Sequence, residues 1–235
     1  MANISLTKID GLILDKDGTL FDFHATWGAW ASGLIDTLAG RRGALREALA
    51  EAMDFDLAAG RFRPTSPIIA GTNRQAAECV AQVLGERDIP RLENLLTRHA
   101  ARAPLAPPVP LAPLLEGLRG RGLALGVVTN DSAEAADAQL RRAGIKEQFD
   151  FVAGFDSGHG AKPAPGPLLA FASCMGLPPE RVAMVGDSTH DLIAGRAAGM
   201  VTLAVLTGPA RRDELAPLAD AVLAHIGEIP AWLGR

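Results

Sequence analysis

Six short apolar stretches recur along the 235-residue chain, over residues 9–14, 123–128, 149–155, 182–185, 201–206 and 221–224. Their apolar residues are nearly continuous rather than strictly alternating, the pattern of strands covered on both faces. Between the later stretches lie helical patterns at 111–121, 132–143, 165–175 and 190–198. Each meets a glycine at its end: Gly122, Gly144, Gly176 or Gly199. Glycine accepts the left-handed conformation that closes a helix. Ser132 stands where an N-cap belongs. Strand and helix in alternation predict an α/β chain with a parallel sheet between layers of helices.

Residues 23–104 break this rhythm. They carry helical periodicity at 26–39, 42–59, 71–85 and 90–102 with no convincing strand, and a proline-rich stiff connector follows at 103–110. The expected architecture is therefore a Rossmann-like core, residues 1–22 and 105–235, with an all-helical domain of residues 23–104 inserted after the first strand. Trp27 and Trp30, three apart on a helical segment, are expected to pack in that domain's core.

Composition removes several classes. With 48% hydrophobic and 21% charged residues the chain is not disordered. A net charge of −4 argues against a nucleic-acid partner but not against a small anionic substrate, for which one local positive field suffices. Cys79 and Cys174 form no cluster with histidine, so zinc is not expected. Two buried free thiols in a reducing compartment are. The first residues lack the basic start of a signal peptide and no apolar run approaches about 18 residues, so no membrane span and a cytoplasmic location are expected.

Ligands of open parallel sheets bind beyond the carboxyl ends of the strands. The first strand delivers Asp15-Lys16-Asp17-Gly18-Thr19 there, and the second Thr129-Asn130-Asp131. Asp156 and Lys162-Pro163 follow the third, and the fourth delivers Gly186-Asp187 with Asp191 close behind. Asp15 and Asp17, two apart, share one side of an extended segment. Two carboxylates about 4 Å apart repel by roughly 4 kcal/mol at an effective dielectric near 20. Asp187 adds to that repulsion. A divalent cation resolves it, and an all-oxygen donor set suits Mg²⁺.

These motifs, Asp15 to Leu20, Val128-Thr129-Asn130, Lys162-Pro163-Ala164-Pro165 and Val185 to Asp191, resemble in residue type and order those of the haloacid dehalogenase (HAD) superfamily. The inserted helical segment resembles the helical cap of its phosphoglycolate-phosphatase-like members. The resemblance implies a Mg²⁺-dependent phosphatase of a small phosphorylated metabolite, acting through an aspartyl phosphate, with the cap closing over the substrate. It implies roles residue by residue. Asp15 is the nucleophile; Asp17 protonates the leaving oxygen and then activates water. Thr129 and the backbone N–H of Asn130 hold phosphoryl oxygens, and Lys162 neutralises charge. Asp15, Asp187 and the carbonyl of Asp17 ligate Mg²⁺, and Asp191 binds it through water or orients Lys162. The second aspartate, Asp17, favours an oxygen leaving group over a halide.

Bland readings stand beside these. Thr129-Asn130 also suits a plain helix start, and Asp191 a first-turn carboxylate stabilised by the helix dipole. Arg61-Phe62-Arg63 and Gly71-Thr72-Asn73-Arg74 read either as solvated loop and helix start or as a loop whose Arg63 and Asn73 contact the leaving group. His159 and His190 lie near the expected site without an assigned role. Lys16 occupies a position that is usually apolar in the superfamily, and Gly166 one that is commonly acidic. A phosphomutase of the same family is the alternative enzyme. A catalytically silent binding module on the same fold and a signalling receiver domain are the non-phosphatase alternatives. The intact set of Asp15, Asp17, Lys162 and Asp187 argues against the former, the chain length against the latter. Oligomeric state is not legible.

Overall fold

A computed structural model describes residues 8–63, 65–70, 73–100 and 102–234. Contacts divide it into two units, residues 1–22 with 107–235, and residues 23–106. The chain opens with strand β1 (Gly11–Leu14) and then enters the helical unit. That unit holds α1 (Phe23–Ala39), α2 (Gly43–Ala52), β2 (Phe55–Asp56), β3 (Arg61–Phe62), α3 (Pro67–Ala70), α4 (Asn73–Leu84) and α5 (Ile89–Ala100). The return to the first unit brings α6 (Leu111–Gly120), β4 (Ala124–Val128), α7 (Ala133–Arg142), β5 (Phe151–Ala153), α8 (Gly166–Met175), β6 (Val182–Gly186), α9 (Thr189–Ala197), β7 (Val201–Val205) and β8 (Ala221–Leu223).

Among the described residues the first unit's sheet has six strands in the order β5-β4-β1-β6-β7-β8, all parallel. β1 lies between β4 and β6, with Leu14 level with Val127 on one side and Val185 on the other. The chain therefore builds outward in one direction through β4 and β5. It then returns to the other side of β1 for β6, β7 and β8. That reversal makes the carboxyl end of β1 the switch point of the sheet, where a crevice opens. Leu12, Ile13 and Leu14 are fully buried, as a near-continuous apolar run requires of a central parallel strand. Ile13 packs with Met184, Leu168, Phe171 and Ala194, so α8 and α9 cover its face. Gly122, Gly144, Gly176 and Gly199 all adopt positive φ beyond helix ends. Ser132 caps α7, its hydroxyl accepting from the Ala135 N–H.

The helical unit has its own core of Trp30, Leu34, Leu49, Met53, Phe55 and Leu96, with Trp27 edge-on to Trp30 at 5.5 Å. The expected helix over 42–59 is corrected: it ends at Ala52, and a hairpin of β2 and β3 follows. Asp54 takes a positive φ of 49°, and the Asp56 carboxylate accepts from the Ala58 and Ala59 N–H groups. A short acidic side chain that bonds nearby amides competes with helix propagation, and here the Asp56 carboxylate closes the turn of the hairpin. Phe55 and Phe62 then pair at 5.1 Å across the hairpin. The expectation of two buried thiols is also corrected. Cys174 is exposed and Cys79 half-buried, because α8 turns Leu168, Phe171 and Ala172 inward and leaves Cys174 on its outer side. No helix among the described residues is long and apolar enough to cross a membrane.

Candidate active site at the end of the central strand

Register alone assembles the polar groups. With Leu14 level with Val127 and Val185, the next residues upward on three adjacent strands are Asp15, Val128 and Gly186. The Asp15 N–H donates to the Val185 carbonyl at 2.9 Å, which carries the strand geometry one residue beyond β1. Asp15 lies two residues after Ile13 and so shares the face covered by α8 and α9. There it meets Asp187 and Asp191. One carboxylate oxygen of each lies within 4.8 Å of those of the other two, and all three residues are buried.

Lys162 supplies the opposing charge. Its ammonium donates to Asp15 Oδ1 at 2.7 Å and to the Val128 carbonyl at 2.8 Å, and it pairs with Asp191 Oδ1 at 2.6 Å. Two hydrogen bonds and a second carboxylate beside it are the condition under which a buried ammonium is tolerated, while Asp191 Oδ1 itself is left without a hydrogen-bond donor. The Asn130 side chain fixes the backbone of this lysine. Its Nδ2 donates to the Lys162 carbonyl at 2.8 Å while its Oδ1 accepts from the Lys162 N–H at 2.9 Å. Thr129, also buried, accepts at its hydroxyl from the Asp131 N–H, turning the chain into α7. Asp191 closes a capping box at the start of α9, its Oδ2 accepting from both the N–H and the hydroxyl of Ser188. The helix-start reading of Asp191 and its pairing with Lys162 therefore hold together.

Charge does not balance among these groups. Burial, the largest influence, pushes the Asp15 carboxyl up to about 6. Lys162 works against that rise, while Asp191 and Asp17 add to it. Asp187 is held well above the usual carboxylate range by burial, then by Asp15 and Asp191, with Lys162 only partly compensating. The repulsion between Asp15 and Asp187 is mutual and falls on the later of the two to ionise. Lys162 feels the reverse: burial disfavours its charge, but Asp15 and Asp191 outweigh burial and raise it.

Three carboxylates facing one ammonium form an oxygen-only site with excess negative charge, which a hard divalent cation fits. The packing reserves the space around Asp187. A Cβ on Gly208 would lie 1.7 Å from Asp187 Oδ2, and one on Gly18 2.2 Å from the same atom. Gly18 also turns at φ 85°, a conformation that only glycine adopts freely. The Thr19 hydroxyl, fully buried, donates to Asp187 Oδ1 at 3.3 Å. Thr207 donates to the Gly18 carbonyl at 2.6 Å and secures the turn. Thr19 and Ser188 fall within the motifs but carry no assigned role of their own there, and Thr207 and Gly208 carry no motif signal at all, since only the fold brings them against Asp187 and Gly18.

The remaining expected residues are placed as follows. Asp17 stands outside the carboxylate cluster; its carboxylate pairs with the buried ammonium of Lys16. β1 ends at Leu14 and the chain is already turning at Lys16, whose carbonyl accepts from the Phe21 N–H, so the two-residue spacing of an extended strand does not carry Asp17 into the cluster beside Asp15. Arg63 and Asn73 belong to the helical unit. Arg63 pairs with Asp54 at 3.1 Å, and Asn73 donates to the Glu93 carbonyl and the Thr97 hydroxyl. Gly71 and Thr72 lie outside the described residues. An open depression of about 460 Å³ on the helical unit, lined by Glu47, Glu51, Phe55, Asp56 and Arg63 among others, contains none of the clustered aspartates.

Comparison with known proteins agrees with this geometry. A family model described as haloacid dehalogenase-like hydrolase matches residues 9–199. A phosphoglycolate phosphatase of Rhodospirillum rubrum is 35% identical over 148 residues, 61% of this chain and 61% of that one. The chain spans about half the length of other curated relatives it matches, a phosphoglycolate phosphatase of Chromobacterium violaceum among them. A HAD family hydrolase from Deinococcus radiodurans, solved with bound phosphate and sodium, superposes with a TM-score of 0.72 at 21% identity, covering 96% of this chain and 95% of that one. At that identity the likeness establishes the fold.

Proposed function

The chain belongs to the haloacid dehalogenase-like hydrolases, and on that premise we propose that it is a Mg²⁺-dependent phosphatase of a small phosphate monoester. The observation that carries the proposal is the buried group of Asp15, Asp187 and Asp191 around Lys162 at the switch point of the sheet. The relatives described as phosphoglycolate phosphatases make 2-phosphoglycolate the first substrate to try.

Asp15 is the nucleophile in this reading. A carboxylate needs no base to become one at neutral pH, and a group titrating about 6 is mostly ionised there. One Asp15 oxygen attacks phosphorus as the bond to the leaving oxygen breaks, and that oxygen takes a proton from Asp17. Water then attacks the phosphorus of the aspartyl phosphate and gives its proton to Asp17. Inorganic phosphate leaves and the Asp15 carboxylate is restored. Lys162, held against Asp15, offsets charge on the nucleophile and on the phosphoryl oxygens. Thr129 and the Asn130 N–H receive those oxygens, and the Asn130 side chain keeps Lys162 in place. Asp15, Asp187 and the Asp17 carbonyl would hold Mg²⁺, with Asp191 nearby, and the bound ion would supply Lewis acidity and charge neutralisation. Arg63 and Asn73 stand in the proposal as contacts to the leaving group, each having to give up a bond inside the helical unit to serve.

The test is a panel of phosphorylated metabolites with MgCl₂, read by inorganic phosphate release and product analysis. Acid-quenched protein is assayed in parallel for phosphate on Asp15. Phosphate release, with label on Asp15 that Asp15→Asn removes, supports the reading. Transfer of the phosphoryl group to a hexose phosphate in place of water replaces it with the mutase, and no turnover of any member overturns it.

A further inference from the structure

Lys16 lies between the two aspartates of the site, yet its side chain takes the other direction. Strand alternation sends Asp15 to the face of α8 and α9 and Lys16 to the opposite one. Its ammonium has no exposure at all. There it meets the Asp17 carboxylate, the Gln139 Oε1 of α7 at 2.6 Å and Asp131 Oδ2 at 3.3 Å. Two hydrogen bonds and one further ion pair thus reach three segments: the turn after β1, helix α7 and the loop between β4 and α7. That loop also carries Thr129 and Asn130.

Stability does not explain this arrangement. An apolar side chain of similar volume satisfies burial without desolvating an ammonium, and such replacements of buried ion pairs are often neutral or stabilising. The backbone at Asp17 is already secured. Gly18 N–H donates to the Phe21 carbonyl at 2.7 Å, Phe21 N–H to the Lys16 carbonyl at 3.1 Å, and Thr207 holds the Gly18 carbonyl. What remains to be set is the pair of side-chain torsions that aim the Asp17 carboxylate.

We infer that Lys16 is a positioning residue for proton transfer: its buried ammonium aims the Asp17 carboxylate and ties it, through Asp131 and Gln139, to the phosphoryl-binding loop. The inference rests on the reading of Asp17 as the group that protonates the leaving oxygen. A well-aimed acid matters for an alkyl ester, whose alkoxide leaves only with a proton. It matters little for p-nitrophenyl phosphate, whose phenolate is stable without one.

The experiment compares kcat/KM for the best alkyl phosphate of the panel and for p-nitrophenyl phosphate, in the wild type, Lys16→Met and Asp17→Asn. Positioned acids contribute about 10²–10⁴-fold, and misplacement by about 1 Å costs up to about 10²-fold. Lys16→Met is therefore expected to lower the alkyl value by about 10–100-fold and leave the aryl value little changed. A merely structural defect lowers both alike, and that result overturns the inference, as does an unchanged or increased alkyl value. If Lys16→Met does not fold, Gln139→Leu and Asp131→Asn read the same ratio. A smaller fall in the same direction supports the inference and an unchanged ratio sinks it. Asp17→Asn separates the two levels. If it leaves the alkyl-to-aryl ratio intact, the acid reading of Asp17 has failed. If it lowers the ratio and Lys16→Met does not, only the role of Lys16 is lost.

Discussion

Replacing Asp187 by asparagine isolates the electrostatics of the site. Oxygens of Asp187, Asp15 and Asp191 lie within 4.8 Å of one another. Two unit charges at that separation repel by about 3 kcal/mol at an effective dielectric of 20. Lys162 relieves only part of this, because one ammonium stands against three carboxylates and its hydrogen bonds go to Asp15 and the Val128 carbonyl. The substituted side chain keeps the shape, and its amide oxygen still accepts from Thr19. At pH 7.5 in EDTA the variant is therefore expected to be more stable than the wild type by about 1–3 kcal/mol. The pH dependence has a definite sign. Asp15 and Asp187 both have raised values in the folded state, so their contribution is full below the unfolded value of 3.8 and lost as pH rises through the folded ones. For Asp15 alone, the rise from 3.8 to about 6 corresponds to about 3 kcal/mol. The variant's advantage should accordingly be smaller at pH 4.5 than at pH 7.5. Mg²⁺ at a hundredfold its dissociation constant should stabilise the wild type by about 2.7 kcal/mol and the variant far less. Urea denaturation followed by circular dichroism, at both pH values with EDTA or MgCl₂, measures all of this. A variant less stable than wild type in EDTA at pH 7.5, or one with the wild-type gain from Mg²⁺, would refute the reasoning.

Three further outcomes are expected. Asp15→Asn should abolish turnover with an unchanged circular dichroism spectrum, and substantial residual phosphate release would remove Asp15 as nucleophile. EDTA should inactivate the enzyme and MgCl₂ restore it, as read by phosphate release; full activity in EDTA would contradict the oxygen-ligand argument. Gly208→Ala places a methyl group against Asp187 Oδ2 and should abolish the Mg²⁺-linked stabilisation even where the fold survives, measured by thermal melts with and without the ion.

Much of the site was legible in the chain because its local pattern is strong. An apolar run that stops at Asp15, Thr129 or Asp187 marks the carboxyl end of a buried strand, and parallel strands present those ends at one edge. What lay beyond reach depended on contacts between distant segments. The Asn130 side chain grips the backbone of Lys162, 32 positions later, through two bonds that no spacing rule predicts. Gly208 and Thr207 close around Asp187 and Gly18 from the far end of β7. A hairpin stands where periodicity extended a helix to residue 59: the Asp56 carboxylate bonds the Ala58 and Ala59 amides at its turn, and Phe55 and Phe62 pair across it, contacts that apolar spacing does not reveal.

Lys16 marks the boundary between the two kinds of information. Period-two alternation, a property of the chain itself, already sends its side chain away from Asp15. Whether that direction leads to solvent or to an enclosed set of acceptors depends on which helix covers the face. α7 covers it, with Gln139 turned inward and Asp131 at its approach. The sequence by itself determined the order of strands and helices in the sheet-bearing unit and the chemical character of each strand end, because these follow from periodicity and residue type over a few positions. Tertiary structure decided which charges are buried together and how far apart they lie, because electrostatic energy depends on distance and solvent exclusion, and neither exists until the sheet is assembled.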